Sequence, residues 1–242
     1  MKVQQMMLSN TMSVDTEVEQ EICSTDKSLK LLLAFQSVPG LCGWRCSAKR
    51  AADFLVSLIV LPLMLPLWLL ICIAIKVESK GATLFRQTRI GKGGKPFVMY
   101  KFRSMYEGAE DVLESLTDLN EADGPVFKIK GDPRITRVGS ILRRSSLDEV
   151  PQFINVLKGE MSLVGPRPPL PNEVAKYNER QWQRLAVKPG LTCLWQTQGR
   201  SRLPFDRWIE LDLDYVYNQS LWLDFKILMR TVPAVLKGNG AW

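Results

Sequence analysis

Histidine is missing altogether from the 242-residue sequence. That absence excludes Ser-His and Cys-His nucleophile pairs, imidazole general bases and imidazole metal ligands. Any catalysis has to run on carboxylates, Lys or Arg, Tyr, Cys or a bound hard cation. Cysteine is sparse: Cys23, Cys42, Cys46, Cys72 and Cys193 are odd in number and scattered. Cys42 and Cys46 have no further Cys or His pair to complete a zinc site, so reduced cytosolic thiols are expected. Acidic residues are concentrated at the start. The first 26 residues hold five carboxylates against one lysine, net −4, so the rest of the chain carries +11 of the total +7. Such a body is expected to meet phosphates, whether of nucleic acid, anionic lipid or nucleotide. The length suits one domain with an appendage.

Residues 1–47 read as a largely disordered tail, because the acidic opening stretch has no apolar period and cannot bury enough surface to order itself. Its charge has the wrong sign for a signal peptide. Residues 48–242 read as the folded domain.

One run stands out. Phe54–Ile75 is free of charge for 22 residues, and a straight helix of that length would span roughly 33 Å, enough for a bilayer. Pro62 and Pro66 sit inside it, where each removes a backbone hydrogen bond. Lys27, Lys30, Arg45, Lys49 and Arg50 precede the run. Lys76, Lys80, Arg86, Arg89, Lys92, Lys95, Lys101 and Arg103 follow it, opposed by Glu78. Positive charge marks the cytoplasmic side of a membrane, and here both flanks carry it. The expectation is a proline-broken re-entrant hairpin over residues 54–75, entering and leaving one leaflet, rather than a single spanning helix.

Thr83–Ile90 and Pro96–Arg103 flank Gly91-Lys92-Gly93-Gly94, which predicts a β-hairpin. Val98, Tyr100 and Phe102 fall on one face, with Lys101 and Arg103 on the other as a candidate phosphate-facing wall. Asn172–Ala186 is expected as a helix with the stripe Val174, Tyr177, Trp182, Leu185, either packed in the core or interfacial with a Trp anchor. Phe205–Val216 is expected as another, its apolar face interrupted by Asp212, a carboxylate that needs a partner or a task. In a last helix, Trp222–Lys237, Pro233 is expected to kink or end the element. The fold class is helix-rich α+β.

The densest chemistry lies in Arg143-Arg144-Ser145-Ser146-Leu147-Asp148-Glu149-Val150-Pro151. Adjacent carboxylates beside arginines fit a site holding a divalent cation with an anionic ligand, and Mg²⁺ takes few carboxylates plus phosphate oxygens and water. Two local alternatives stay open. Ser146 through Glu149 also fits a capping box, and Pro151 at a helix start would place both carboxylates at the positive end of its dipole. Further on, Pro166 and Pro168 bracket Arg167 and stiffen its backbone, which suits a guanidinium fixed on a phosphate.

Together these motifs carry a resemblance. From about Ala48 to Trp242 the chain resembles the bacterial sugar transferases, monotopic phosphoglycosyl transferases that load the first sugar phosphate onto a polyprenyl carrier. The matching residues are Lys49-Arg50 before the proline-broken hairpin, Phe85 to Gly91, Tyr100 to Met105, Asp132 to Gly139, Ser146 to Glu149, Leu157 to Pro168 and Lys188 to Gly190. The resemblance implies that Asp148 is the nucleophile on the sugar-linked phosphate of a nucleoside-diphosphate sugar, and that Glu149 coordinates Mg²⁺ beside it. It implies an active-site role for Arg143, a place for Arg167 with Pro166 and Pro168 near the nucleotide diphosphate, and head-group contacts for Lys49 and Arg50. Arg86, Arg89, Lys101 and Arg103 become candidate phosphate or lipid contacts. Asp212, in a matching Glu-x-Asp stretch, joins the candidate substrate residues with no assigned task.

The implied partners are a nucleoside-diphosphate sugar, polyprenyl phosphate and membrane lipids, not nucleic acid; homo-oligomerisation is left open. The implied location is the bacterial cytoplasmic membrane, catalytic domain on the cytoplasmic face. The four extra membrane helices of larger relatives are not expected here, since a second long apolar run is lacking. From another class, a membrane-tethered basic module binding nucleic acid or anionic lipid would account for the charge and the anchor but not for the dyad among arginines.

Overall fold

The computed structural model describes residues 43–121, 124–127, 129, 131–199 and 203–237. The tail assigned to residues 1–47 thus lies outside the described residues, apart from 43–47. The charge-free run forms the middle of one long helix, α1 (Trp44–Glu78). Among the described residues it is the one helix long and apolar enough to cross a membrane. The expected break into two limbs is not seen, because α1 stays helical through Pro62 and Pro66. Proline deletes its own donor and crowds the carbonyl four residues back, yet its fixed φ is helical, so the ladder is interrupted without ending.

Both ends of α1 dock on the same body. Near the start, Asp53 and Ser57 are buried, and Asp53 Oδ1 accepts from the Leu163 amide at 3.2 Å. Near the end, Ile71 and Ile75 pack with Phe102 and Leu142 in a small core, where Trp68 meets Phe102 edge-on at 4.9 Å. Between Ser57 and Ile71 no residue is buried, and Leu63, Leu65, Leu69 and Leu70 are at least 60% exposed. An apolar stretch this bare needs a non-aqueous neighbour.

The predicted hairpin forms as β1 (Leu84–Ile90) and β2 (Pro96–Phe102), antiparallel, with Arg86 opposite Tyr100 and Ile90 opposite Pro96. Gly93 and Gly94 adopt φ of 69° and 76° in the connection. The two faces of β2 do not divide as the alternation predicts: Phe102 and Met99 are both buried, while Val98 is exposed. The ribbon is covered on both sides, by the small core at Phe102 and by the main core at Met99. The outer edge of β2 is closed by Asn155, whose Oδ1 accepts from the Tyr100 amide at 3.1 Å while Nδ2 donates to the Val98 carbonyl at 2.7 Å.

Helix α2 (Arg137–Ser145) is capped by Thr136, which accepts from the Gly139 amide at 2.8 Å. Gly139 is required by packing: a Cβ there would lie 2.0 Å from the Ser104 carbonyl oxygen. A 3₁₀ turn, Leu147–Glu149, leads into α3 (Gln152–Lys158), which Gly159 ends at φ 82°. Two short strands, β3 (Ser162–Val164) and β4 (Gly190–Thr192), then pair in parallel. Backbones meet so closely beside them that a Cβ on Gly190 would lie 2.0 Å from the Gly165 nitrogen.

The single amphipathic helix expected over 172–186 is instead three pieces: α4 (Pro171–Val174), α5 (Glu179–Trp182) and a 3₁₀ turn over Gln183–Ala186. Asn178 restarts the chain as a cap, its Oδ1 accepting from the Gln181 amide while Gln181 Oε1 accepts from the Asn178 amide; such reciprocal bonds favour a new helix over continuation. The stripe still turns inward, with Val174, Tyr177 and Leu185 buried and Trp182 packed against the same core. The stripe thus packs in the core, with Trp182 partly buried at its edge. The remaining helices are α6 (Leu194–Gln198), α7 (Phe205–Asn218) and α8 (Leu221–Lys237). Phe205, Trp208, Ile209, Asp212, Tyr215 and Val216 are buried as the α7 stripe predicts. Pro233 neither ends nor divides α8.

Candidate active site

Asp148 and Glu149 sit on the 3₁₀ turn between α2 and α3. The capping box is not formed. Ser146 ends α2 in the left-handed region (φ 57°, ψ 18°), the one non-glycine among the described residues with positive φ. An L-residue there costs on the order of 1 kcal/mol, and the Ser146 N–H to Arg143 carbonyl bond (3.1 Å) together with Glu149 N–H to Ser146 carbonyl (3.3 Å) holds the kink. The chain thus reverses on Ser146 and presents both carboxylates to a cleft of about 1690 Å³. Pro151 flanks the start of α3 in helical geometry, close to the expected first-turn position.

Asp148 is buried, and burial pushes its carboxyl up to about 6, with Lys101 and Arg143 pulling it down and Glu149 pushing it up. Lys101, on β2, donates to Glu149 Oε1 at 2.8 Å and stands 4.0 Å from Asp148 Oδ2. Two neighbouring carboxylates that accommodate a cation between them suit a hard divalent ion completing its shell with phosphate oxygens and water. Among the described residues no cluster of three or more acidic, Cys or His ligands occurs, so such an ion has to share its shell with a ligand.

Guanidinium groups line the other wall. Arg143 Nε donates to Ser104 Oγ at 2.9 Å. Burial lowers the pKa of Arg143; Asp148 and Asp132 favour its charge, while Arg134 and Arg167 oppose it. Arg134 is forked onto Asp132, Nε to Oδ1 at 2.9 Å and Nη2 to Oδ2 at 2.6 Å. Arg89 is buried and pushed down to about 10, by desolvation first and then by Arg167. Arg167 therefore lies within electrostatic reach of both Arg143 and Arg89, and an anion placed among them relieves the repulsion.

The loop carrying Arg167 is pinned at every carbonyl from 166 to 169. Pro166 accepts from the Gly190 amide (2.9 Å), Arg167 from Arg184 Nη2 (3.1 Å), Pro168 from Arg89 Nη1 (3.0 Å) and Pro169 from the Ile90 amide (3.0 Å). Arg184 in turn is ion-paired with Asp212 and donates to the Tyr177 hydroxyl at 2.6 Å.

Asp148, Glu149, Arg143, Lys101, Arg89 and Arg167 are thus brought to one cleft. Pro166 and Pro168 are buried beside it as loop supports, and Arg86 is exposed at its rim. Four predicted contact residues are placed differently. Asp212 is 1% exposed and faces Arg184 rather than the cleft. Arg103, although at the cleft wall, spends its guanidinium on the Ser79 and Lys80 carbonyls after α1. Lys49 and Arg50 turn onto the protein body. Lys49 Nζ donates to Asp224 Oδ2 (2.6 Å) and the Val164 carbonyl (3.2 Å), and Arg50 bonds the Val156 and Leu157 carbonyls at 2.5 and 2.7 Å. A basic pair ahead of an apolar run reads as a lipid contact in sequence, but acceptors from α3, β3 and α8 are near enough to claim it. Sequence reasoning missed Ser104 and the Asp132–Arg134 fork as site residues, although both lie in motifs that carry the resemblance.

Adjacent carboxylates, a bridging lysine and converging arginines thus share one cleft, beside a helix long and apolar enough to cross a membrane. The bacterial sugar transferase family model matches residues 44–238, and the chain belongs to that family. It is similar to the galactosyl transferase CpsE of Streptococcus agalactiae, 47% identical over 165 residues, which cover 68% of this chain and 37% of that protein. The undecaprenyl-phosphate galactose phosphotransferase of Salmonella typhimurium is 41% identical over 206 residues, 80% of this chain and 41% of that protein. The UDP-glucose:undecaprenyl-phosphate glucose-1-phosphate transferase of Caulobacter vibrioides is 42% identical over 205 residues, covering 80% of this chain and 72% of that protein. The chain therefore spans less than half the length of the first two relatives.

Proposed function

We propose that the protein transfers a sugar-1-phosphate from a UDP-sugar to undecaprenyl phosphate, the opening membrane step of a surface polysaccharide pathway. The observation that carries the reading is the buried Asp148 beside Glu149, with Lys101 on the pair, facing converging arginines. The names of the Salmonella and Caulobacter relatives supply the substrate classes.

An Asp148 carboxylate oxygen attacks the sugar-bearing phosphorus, forming a P–O bond as the P–O bond to the nucleoside monophosphate breaks and that monophosphate leaves with the electron pair. An oxygen of undecaprenyl phosphate then attacks the same phosphorus and expels the Asp148 carboxylate, giving the diphosphate-linked sugar. Arg143, Arg167 and Arg89 neutralise phosphate oxygens in both steps, and Lys101 holds Glu149 in register with Asp148. Mg²⁺ held by Asp148 and Glu149 would supply charge neutralisation to the diphosphate. None of this requires an imidazole.

For topology, the reading is an α1 that bends at Pro62 and Pro66 without ending and so enters and leaves one leaflet, with the body on the cytoplasmic face. Its support is the docking of both ends of α1 on one body, the bare apolar stretch between them, and basic flanks on both sides. No observation favours the pure binding module.

The test is a screen for nucleoside monophosphate release across UDP-sugars with undecaprenyl phosphate, followed by trapping of a phosphosugar adduct on Asp148. Ping-pong kinetics and loss of the adduct in Asp148→Asn are expected. Unchanged turnover in that variant would sink the covalent route.

A further inference from the structure

The dyad lies on the short link of a helix–turn–helix, α2 and α3, and the two outer ends of that unit are both held by α1. Glu78, the last residue of α1, accepts from the first amides of α2, Arg137 N–H at 2.7 Å and Val138 N–H at 2.8 Å. Arg50, near the start of α1, donates to the last carbonyls of α3 at Val156 and Leu157. These are the groups that a helix leaves unpaired, and the charges match: acid on the positive end, base on the negative end. The second half of α1 also shares a core with the link, since Leu147 and Val150 pack against the cluster of Ile71, Ile75, Phe102 and Leu142.

We infer that α1 is a clamp on the catalytic turn, with Arg50 and Glu78 as positioning residues that act through the ends of α3 and α2. The two side chains stand on opposite sides of the charge-free run. The shape that the bilayer imposes on that run therefore sets how far apart the outer ends of α2 and α3 are held. Between them the link carries the left-handed Ser146, its own 3₁₀ bonds and the Lys101 contacts of the dyad, so a shift of either outer end reaches the carboxylates. Seating in the membrane is thereby read out as the placement of Asp148 against Glu149. The functional half of this inference rests on the proposed phosphotransfer; the mechanical half does not.

The experiment uses the full chain in lipid nanodiscs, with Glu78→Gln, Arg50→Met and, as a control on the same helix, Arg45→Gln. Arg45 is exposed and lies over the Trp44 ring. Hydrogen exchange at the Glu149 and Val150 amides is expected to rise about tenfold in the two clamp variants and to stay unchanged in the control. The kcat is expected to fall on the order of ten- to a hundredfold, with KM for the sugar nucleotide held within about twofold. Arg50→Lys should recover part of both. Should Arg50→Met fail to fold, Arg50→Lys decides, because it keeps the charge but loses the fork and should still speed exchange. Unchanged exchange in the clamp variants, or a rise in KM with kcat intact, overturns the clamp. Exchange needs no turnover, so the absence of any active donor would undo the reading of the site while leaving the clamp to be judged by exchange.

Discussion

Lys101 holds its ammonium 2.8 Å from Glu149 Oε1 and 4.0 Å from Asp148 Oδ2, so one cation from the hairpin serves two carboxylates from the 3₁₀ turn. Lys101→Met leaves that pair of like charges without its nearest compensation. The Asp148 carboxyl, already raised by burial, then rises further. The acid limb of the kcat/KM profile is expected to move up by about one pH unit, with activity near neutrality falling on the order of a hundredfold. A pH–rate profile checks this, and an unmoved acid limb would show that Lys101 acts on substrate alone.

Asp148→Asn trades activity for stability. The folded carboxyl titrates at about 6, above its unfolded value near ~3.9. Below the unfolded value both states are protonated; between the two values the folded state keeps a proton that the unfolded state has released. Stability therefore falls as pH rises through that window and is flat above it. Without metal at neutral pH the asparagine variant should be more stable by about 3 kcal/mol, and no different in strong acid. Denaturant unfolding in detergent at the two pH values measures the difference, beside loss of monophosphate release.

Asp212→Asn should be costly without touching substrate. It leaves the Arg184 guanidinium buried with its charge uncompensated and loosens the carbonyl of Arg167 that Arg184 holds. A loss of about 3 kcal/mol is expected, whereas the double change Arg184→Met with Asp212→Leu should cost less. Unfolding midpoints of the two variants against the wild type decide it.

Lys49→Ala tests a buried clamp against a lipid contact. The change strands Asp224, which also accepts from the Tyr215 hydroxyl at 2.7 Å. Stability should fall by about 3 kcal/mol, while the dependence of vesicle binding on anionic lipid content stays as in the wild type. A flattened lipid dependence with unchanged stability would return Lys49 to the head groups.

Local patterns carried much of this fold. The glycine-rich connection and the flanking β-branched and aromatic residues gave the hairpin, and the buried face of α7 follows from its 3.6-residue period. The dyad and the bracketed Arg167 were visible as motifs. What sequence could not supply was the destination of each charge. Whether Lys49 meets a phosphate or Asp224 depends on a partner 175 residues away, and Asp212 finds Arg184 across two elements. Asn178 was legible as a cap only once the competing amphipathic period had been set aside, because a core stripe survives the division of its helix.

Asn155 has a consequence beyond its own bonds. By occupying the outward amide of Tyr100 and the outward carbonyl of Val98, its carboxamide does the work of a third strand. A two-stranded ribbon otherwise displays a row of unpaired groups that templates pairing with another chain. At a crowded membrane surface, where copies meet in two dimensions, this single side chain denies the hairpin's outer edge to its neighbours.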